Sequence, residues 1–215
     1  MAKKYTLNVD TEAVIYLCTK DKRLAKVIAM VGPIEYDLHE DGYRFLIHEI
    51  IEQMLSIKAG AKIYSRLNDL CNGDINPITI NTLSDEEIRL CGTSTNKISY
   101  IRCLTNAILC NNVSLDDFIS FSDQEVINYL TKIKGIGTWT AKMFMIFVLN
   151  RENILPYEDV AFLQSYKWLY KTNDVDKKSV EKKCEKWNPY SSIAARFMYR
   201  ALDMGFTKSE FHLYK

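Results

Sequence analysis

The chain has 215 residues, 47% of them apolar, with 28 basic and 27 acidic side chains and a net charge of +1. The apolar share suffices for a packed core, and so small a net charge makes no global demand for nucleic acid or any other polyanion. The apolar run MFMIFVL near the centre, Met143 to Leu149, falls far short of the roughly 20 residues a membrane span needs.

At this length one large domain or two small ones sharing a core are expected. The start, MAKKYTLNVDTEAVIY, is broken by acids and polar residues and makes no signal peptide. Six cysteines, at 18, 71, 91, 103, 110 and 184, show neither C-x-x-C pairs nor zinc spacing. They read as reduced structural thiols of a cytoplasmic protein.

Strand signals are confined to residues 1–43. There YTLNVD alternates, AVIYLC is apolar and β-prone, and EYDLHEDGYRF contains an Asp-Gly turn, so a short sheet is expected. From Arg44 onward helices dominate, and the class is mostly α. In YRFLIHEIIEQMLSIKAGAKIYSRLNDL, apolar residues recur at Leu46, Ile47, Ile50, Ile51, Met54 and Leu55, the spacing of a helix stripe. LSDEEIRLCG opens on capping residues and stops at Gly92, and NKISYIRCLTNAILC repeats the stripe at Ile98, Ile101, Leu104 and Ile108. SLDDFISF and SDQEVINYLTKI each begin with Ser followed three residues later by Asp or Glu, which predicts capping boxes. Further helices are expected from about Thr138 to Leu149, from Val160 to Tyr170, and over KKSVEKKCEKW and SSIAARFMYRALDMG. The lysines at 177, 178, 182, 183 and 186 read as a solvated helix face.

Two stretches carry chemistry. In KIKGIGTWTAKMF a helix ends, a K-G-I-G hairpin turns at 133–138, and a new helix begins. The N–H groups of Gly135, Gly137 and Thr138 would face outward toward a phosphate. Such a contact is blind to sequence and needs no lysine. Further on, NILPYEDVAFLQSY places Asp159 at a helix start. A helix of about 12 residues runs about 18 Å, and the loop after it could span up to about 30 Å. That reach is enough to return Asp159 beside Trp139. Asp159 caps its helix on the plainest reading. Capping is compatible with catalysis, because donated N–H bonds and the helix dipole would keep the carboxylate ionised.

Together these features resemble the helix-hairpin-helix DNA glycosylase superfamily, and look most like its 3-methyladenine DNA glycosylase II branch. GIGTWTAKMF is similar to that branch's G-I-G-x-W-T-A-x-x-F, and WNPYSSIAARFMY to its W-x-P-[YW]-R-S-x-A. IIEQMLSIKAGAKI and STNKISYIRCLTNAI look like its I-L-x-Q-x-x-S-x-x-A-A and S-x-x-K-x-x-Y-[IL] segments. The matches run in order from Arg44 to Gly205.

The resemblance implies a two-lobed helical core over 44–215 with the active cleft between lobes, and residues 1–43 packed on it. It implies a monofunctional enzyme that flips an alkylated, 3-methyladenine-like base out of double-stranded DNA and hydrolyses its glycosidic bond. Asp159 would be the catalytic carboxylate. Trp139, Tyr199 and Met143 would line the base pocket, with Tyr190 and Trp187 as alternatives packing the last helices. Met54 would be the wedge that fills the gap, with Gln53 facing the bases or capping the cleft; the alternative for Met54 is that it continues the core stripe. Trp139 in turn has a plain alternative as a core aromatic. Strand-cutting relatives carry a lysine where this chain has Trp139, so no lyase activity is expected, and Lys142 reads as a helix-surface residue. No cofactor is required by this reading. Backbone carbonyls of Thr131, Ile133 and Ile136 would hold a structural Na+ or K+. With only Cys184 after the hairpin, no iron–sulfur cluster is expected. The partner is damaged duplex DNA, the protein a monomer.

Two other readings stay open: a glycosylase for an oxidised or deaminated base, and a hairpin module that binds DNA without chemistry. The chain also departs from the pattern. Ser191 stands at the family's arginine, Gly60 at an alanine, and Met143 where a relative offers an aromatic.

Overall fold

A computed structural model describes residues 4–110 and 114–214. The chain divides into two compact units, one formed by residues up to Leu38 together with those from Asn150 onward, the other by His39–Leu149. Twelve α-helices and one two-stranded sheet are seen among the described residues. None of those helices is long and apolar enough to cross a membrane.

The first unit begins with β1 (Lys4–Leu7), α1 (Glu12–Lys20), α2 (Lys22–Val31) and β2 (Ile34–Asp37). β1 and β2 pair antiparallel, Lys4 opposite Asp37 and Leu7 opposite Ile34. The expected sheet is therefore present but smaller, because AVIYLC lies in α1 and not in a strand. The residues buried there, Ala13, Val14 and Leu17, are spaced for one face of a helix, and a short apolar run does not by period alone separate the two structures. Nor does the Asp-Gly pair turn a hairpin. Asp41 instead caps the next helix, its carboxylate accepting from Arg44 N at 2.9 Å.

After Asn150 the same unit adds α10 (Val160–Tyr170), α11 (Lys177–Cys184) and α12 (Ser191–Asp203). Its core includes Leu17, Leu24, Phe162, Leu169, Trp187 and Phe197. At its centre Asp21 is buried. It caps α2 through Arg23 N and Leu24 N, and it accepts from Tyr170 Oη at 2.5 Å and Trp187 Nε1 at 3.0 Å. Lys186 Nζ lies 3.0 Å from the same oxygen. Burial alone would raise the Asp21 pKa, but the Tyr170, Lys186 and Trp187 hydrogen bonds outweigh it and hold the carboxyl below its ordinary value. The lysine face is thus solvated at 177, 178, 182 and 183, while Lys186 is half-buried against this node.

The second unit carries α3 (Gly42–Glu52), α4 (Ile57–Leu70), α5 (Pro77–Thr82), α6 (Asp85–Leu90), α7 (Thr95–Cys110), α8 (Asp123–Leu130) and α9 (Thr138–Phe147). Short-range chemistry sets most of its boundaries. Capping boxes form at Ser84 with Glu87 and Ser122 with Glu125, and Ser114 with Asp117 closes the same box over a short 3-10 turn. Phe144 anchors the interior, its ring 6.2 Å from Phe45 and 5.9 Å from Phe118. The stripe Leu46, Ile47, Ile50 and Ile51 is wholly buried. It stops there, however. α3 ends at Glu52 and α4 starts after the Ser56 cap, so Met54 and Leu55 belong to a turn between two helices.

Candidate active site

That turn is the first element of the site. Met54 is 101% exposed and has φ +58. A non-glycine residue in the left-handed region carries a cost of roughly 1–2 kcal/mol. The backbone thus spends stability to hold an apolar side chain in solvent. This removes the alternative that Met54 extends the core stripe. Leu55 and Ile57 beside it are also exposed.

The second element is the hairpin between α8 and α9. Ile133 and Ile136 are buried and hold it to the unit, and Ile136 N donates to Ile133 O at 3.0 Å to close the turn. Gly135 has φ +92, and a Cβ there would overlap the Tyr100 ring. Gly137 is different: its backbone is extended, and a Cβ would meet nothing within 4 Å. The α9 N-cap position, Gly137, provides no side-chain cap. Gly137 and Thr138 are exposed, and Gly135 is half-buried.

The Met54 turn and the hairpin are joined. Gln53 Nε2 donates to the Gly135 carbonyl at 2.9 Å. Sequence reasoning assigned Gln53 to the bases or the cleft and had no means of seeing this partner. Trp139 follows the hairpin half-buried on α9, not sealed as a core aromatic would be. Met143 is buried on the same helix. Lys142 is also buried, at 7% exposure, and is not a surface residue.

Asp159 lies in the other unit, 9% exposed, as the N-cap of α10. Its Oδ1 accepts from Phe162 N at 2.7 Å, and its own N–H donates to Pro156 O at 3.0 Å. The loop leading to Asp159 is fixed by WNPYSS. Ile154 N donates to Ser192 Oγ at 2.8 Å, Ser192 N to Glu152 O at 2.9 Å, and Ser191 Oγ to Asn153 Oδ1 at 2.9 Å. Ser191 therefore holds the approach to the carboxylate from a buried position. At the position where the family carries arginine, the serine makes a different, local contact. Tyr199 is half-buried on α12, which is tied to α10 by the Ser165 Oγ bond to Met198 O at 3.0 Å. Trp187 packs the core of this unit, as its alternative role required.

A cavity of about 710 Å3 at Tyr166, Tyr170 and Lys183 contains none of these residues.

Known proteins resemble this chain in sequence and fold. Residues 47–189 match the family described as HhH-GPD superfamily base excision DNA repair protein. DNA-3-methyladenine glycosylase 1 of Schizosaccharomyces pombe is 30% identical over 197 residues, covering 88% of this chain and 86% of that protein. The crystal structure of a DNA-3-methyladenine glycosidase from Bacillus halodurans superposes with a TM-score of 0.86 at 32% identity, over 97% of each chain. A Schizosaccharomyces pombe 3-methyladenine DNA glycosylase in complex with abasic DNA superposes with a TM-score of 0.80 at 27% identity, over 95% of this chain and 100% of that one.

Proposed function

This chain belongs to the HhH-GPD superfamily of base excision DNA repair proteins, and we propose that it is a monofunctional glycosylase that releases alkylated, 3-methyladenine-like bases from double-stranded DNA. The observation that carries the reading is Met54, a wholly exposed apolar side chain on left-handed backbone beside a phosphate-type hairpin. A clamp that only gripped phosphates would have no use for it. The lesion class follows the named activity of the relatives.

Flipping a base out of a duplex costs a few kcal/mol of stacking. Met54 offsets this by filling the vacated space, as apolar wedges do. The uncapped N–H groups at Gly137 and Thr138 hold a backbone phosphate. Trp139 and Tyr199 present aromatic faces to the base, with Met143 behind Trp139 on the same helix. A purine alkylated on a ring nitrogen carries positive charge, which such faces attract.

The same charge makes the base a good leaving group. As the C1′–N bond breaks, its electron pair leaves with the base and the sugar becomes oxocarbenium-like. Asp159 stabilises that cation and positions the water that adds to C1′, and the added water releases its proton to Asp159 and from there to solvent. One carboxylate suffices, unlike ordinary glycoside hydrolysis with its two. With tryptophan at 139 there is no amine for a Schiff base, so strand cleavage is not part of the reaction. The backbone carbonyls of Thr131, Ile133 and Ile136 would hold a monovalent cation, which would supply positive charge at the hairpin. The enzyme acts as a monomer on DNA inside the cell.

The test is base release from methylated duplex DNA by wild type and Asp159→Asn. Free 3-methyladenine or 7-methylguanine with wild type alone supports the reading. No release by either protein refutes the alkylated-base assignment, and a panel of oxidised and deaminated duplexes then separates another lesion from a clamp without chemistry.

A further inference from the structure

One matched segment, STNKISYIRCLTNAI, has no part in the reaction above. The structure shows what it touches. Lys97 Nζ donates to the carbonyl of Ile51 at 2.7 Å, one of the carbonyls that the last turn of α3 leaves without a helical partner. One turn along α7, the Tyr100 ring fills the space beside Gly135 where any side chain would collide. Ser99, between them, lies 3.4 Å from Lys134 Nζ through its Oγ. Residues 97–100 thus contact the end of α3, which leads into the wedge turn, on one side and the hairpin on the other. Gln53 closes the figure with its 2.9 Å bond from the wedge turn to the hairpin carbonyl.

We propose that Lys97, Tyr100 and Gln53 are positioning residues that mount the wedge and the phosphate clamp on a single bracket, so that gripping the backbone and inserting Met54 occur as one event. The proposal rests on the glycosylase reading for what the two elements do. The physical reason for a bracket lies in the turn itself. Met54 is exposed and its left-handed backbone is unfavourable, so nothing in the side chain's own packing keeps it in place. The restraint must come from its neighbours. Ile51 is held from below by an ammonium that also complements the negative end of α3, and Gln53 is held from the side. With the Gln53 bond absent, the turn is free to relax while the hairpin keeps its grip on phosphate.

The experiment has two readouts. Hydrogen–deuterium exchange of the DNA-free protein compares wild type, Gln53→Ala and Lys97→Met. Gln53→Ala is expected to raise exchange several-fold in both the 53–55 turn and the 133–138 hairpin, and Lys97→Met in the turn. The second readout uses a duplex with 2-aminopurine next to a tetrahydrofuran abasic analogue, together with single-turnover base release. Gln53→Ala should bind this duplex within about threefold of wild type, yet lose most of the 2-aminopurine brightening and about tenfold in release rate. In a double-mutant cycle, Gln53→Ala with Met54→Ala should be no slower than Met54→Ala alone, since a residue that acts by placing Met54 has nothing left to place. Lys97→Arg, which keeps the donor, should restore the brightening that Lys97→Met loses.

Exchange rising in only one of the two segments after Gln53→Ala, or rate losses that multiply in the double variant, overturns the bracket. If wild type itself neither binds the duplex nor brightens 2-aminopurine, the glycosylase reading falls, and the exchange data still decide the coupling.

Discussion

The ring of Tyr100 occupies the one place where Gly135 could have carried a side chain. Two glycines of the hairpin are therefore glycines for different reasons. Gly135, with φ +92 and no free space, is required by the fold. Gly137 adopts backbone open to any residue and faces empty space, so its bareness serves something outside the chain. Gly135→Ala should destabilise the protein by more than about 2 kcal/mol, within the range for strain and overpacking together. Gly137→Ala should leave stability within about 0.5 kcal/mol yet weaken duplex binding about tenfold, because a methyl group would stand in front of the α9 N–H groups. Thermal melts with binding titrations check both. Equal binding by Gly137→Ala and wild type would remove the phosphate from this helix start.

At Met54 the proposed wedge role and backbone stability make opposite demands. Met54→Gly relieves the left-handed strain, about 1 kcal/mol, and should raise Tm by roughly 2–4 °C for a chain of this size. The same change removes the wedge, so single-turnover base release should fall at least tenfold. A melt and a release assay on one preparation test the pair. A variant that is both more stable and fully active would mean that Met54 does not fill the gap.

Asn can cap a helix nearly as well as Asp. Asp159→Asn should therefore leave Tm almost unchanged while base release falls by about 10²–10³, the range for losing one electrostatic stabiliser at a transition state. Affinity for a duplex with an abasic analogue should stay close to wild type. Asp159→Ala should in addition cost about 1 kcal/mol of stability, read from the same melts.

Strand cleavage offers a separate check. Lys142 stands three positions beyond Trp139 and is buried in α9. Borohydride added during turnover should trap no covalent protein–DNA complex. Trapping that disappears in Lys142→Met would identify that lysine as a nucleophile and refute the monofunctional assignment.

The Asp21 node sets an acid limit on the first unit. Its folded pKa is lowered, so the unfolded chain, with an aspartate near pKa 3.9, binds the proton more tightly. The stabilisation is complete above about pH 4 and is lost as pH falls through the lower folded value. Acid unfolding followed by circular dichroism should show wild-type stability dropping in that window. Asp21→Asn should start less stable by about 2–3 kcal/mol, having exchanged a charge-assisted network for weaker bonds, and should show a flatter decline. Parallel curves would remove Asp21 from the acid transition.

The sequence by itself determined the features governed by interactions within a few residues. The caps at Ser84, Ser122 and Asp159 were legible because a side-chain oxygen reaches only the N–H groups two or three positions ahead, and each bond is present. The glycine hairpin and the helical class were legible for the same reason, and so was the family, through four short motifs. Tertiary structure decided what depends on distant neighbours. AVIYLC became a helix because its apolar face found a core shared with α10 and α12. The stripe Leu46 to Ile51 could not show that it would break before Met54, because spacing carries no record of where solvent begins. Lys142, read from the sequence as a helix-surface residue, is buried. Gln53 found its acceptor 82 positions away; a polar side chain declares what it can bond, but only the packed chain supplies the partner.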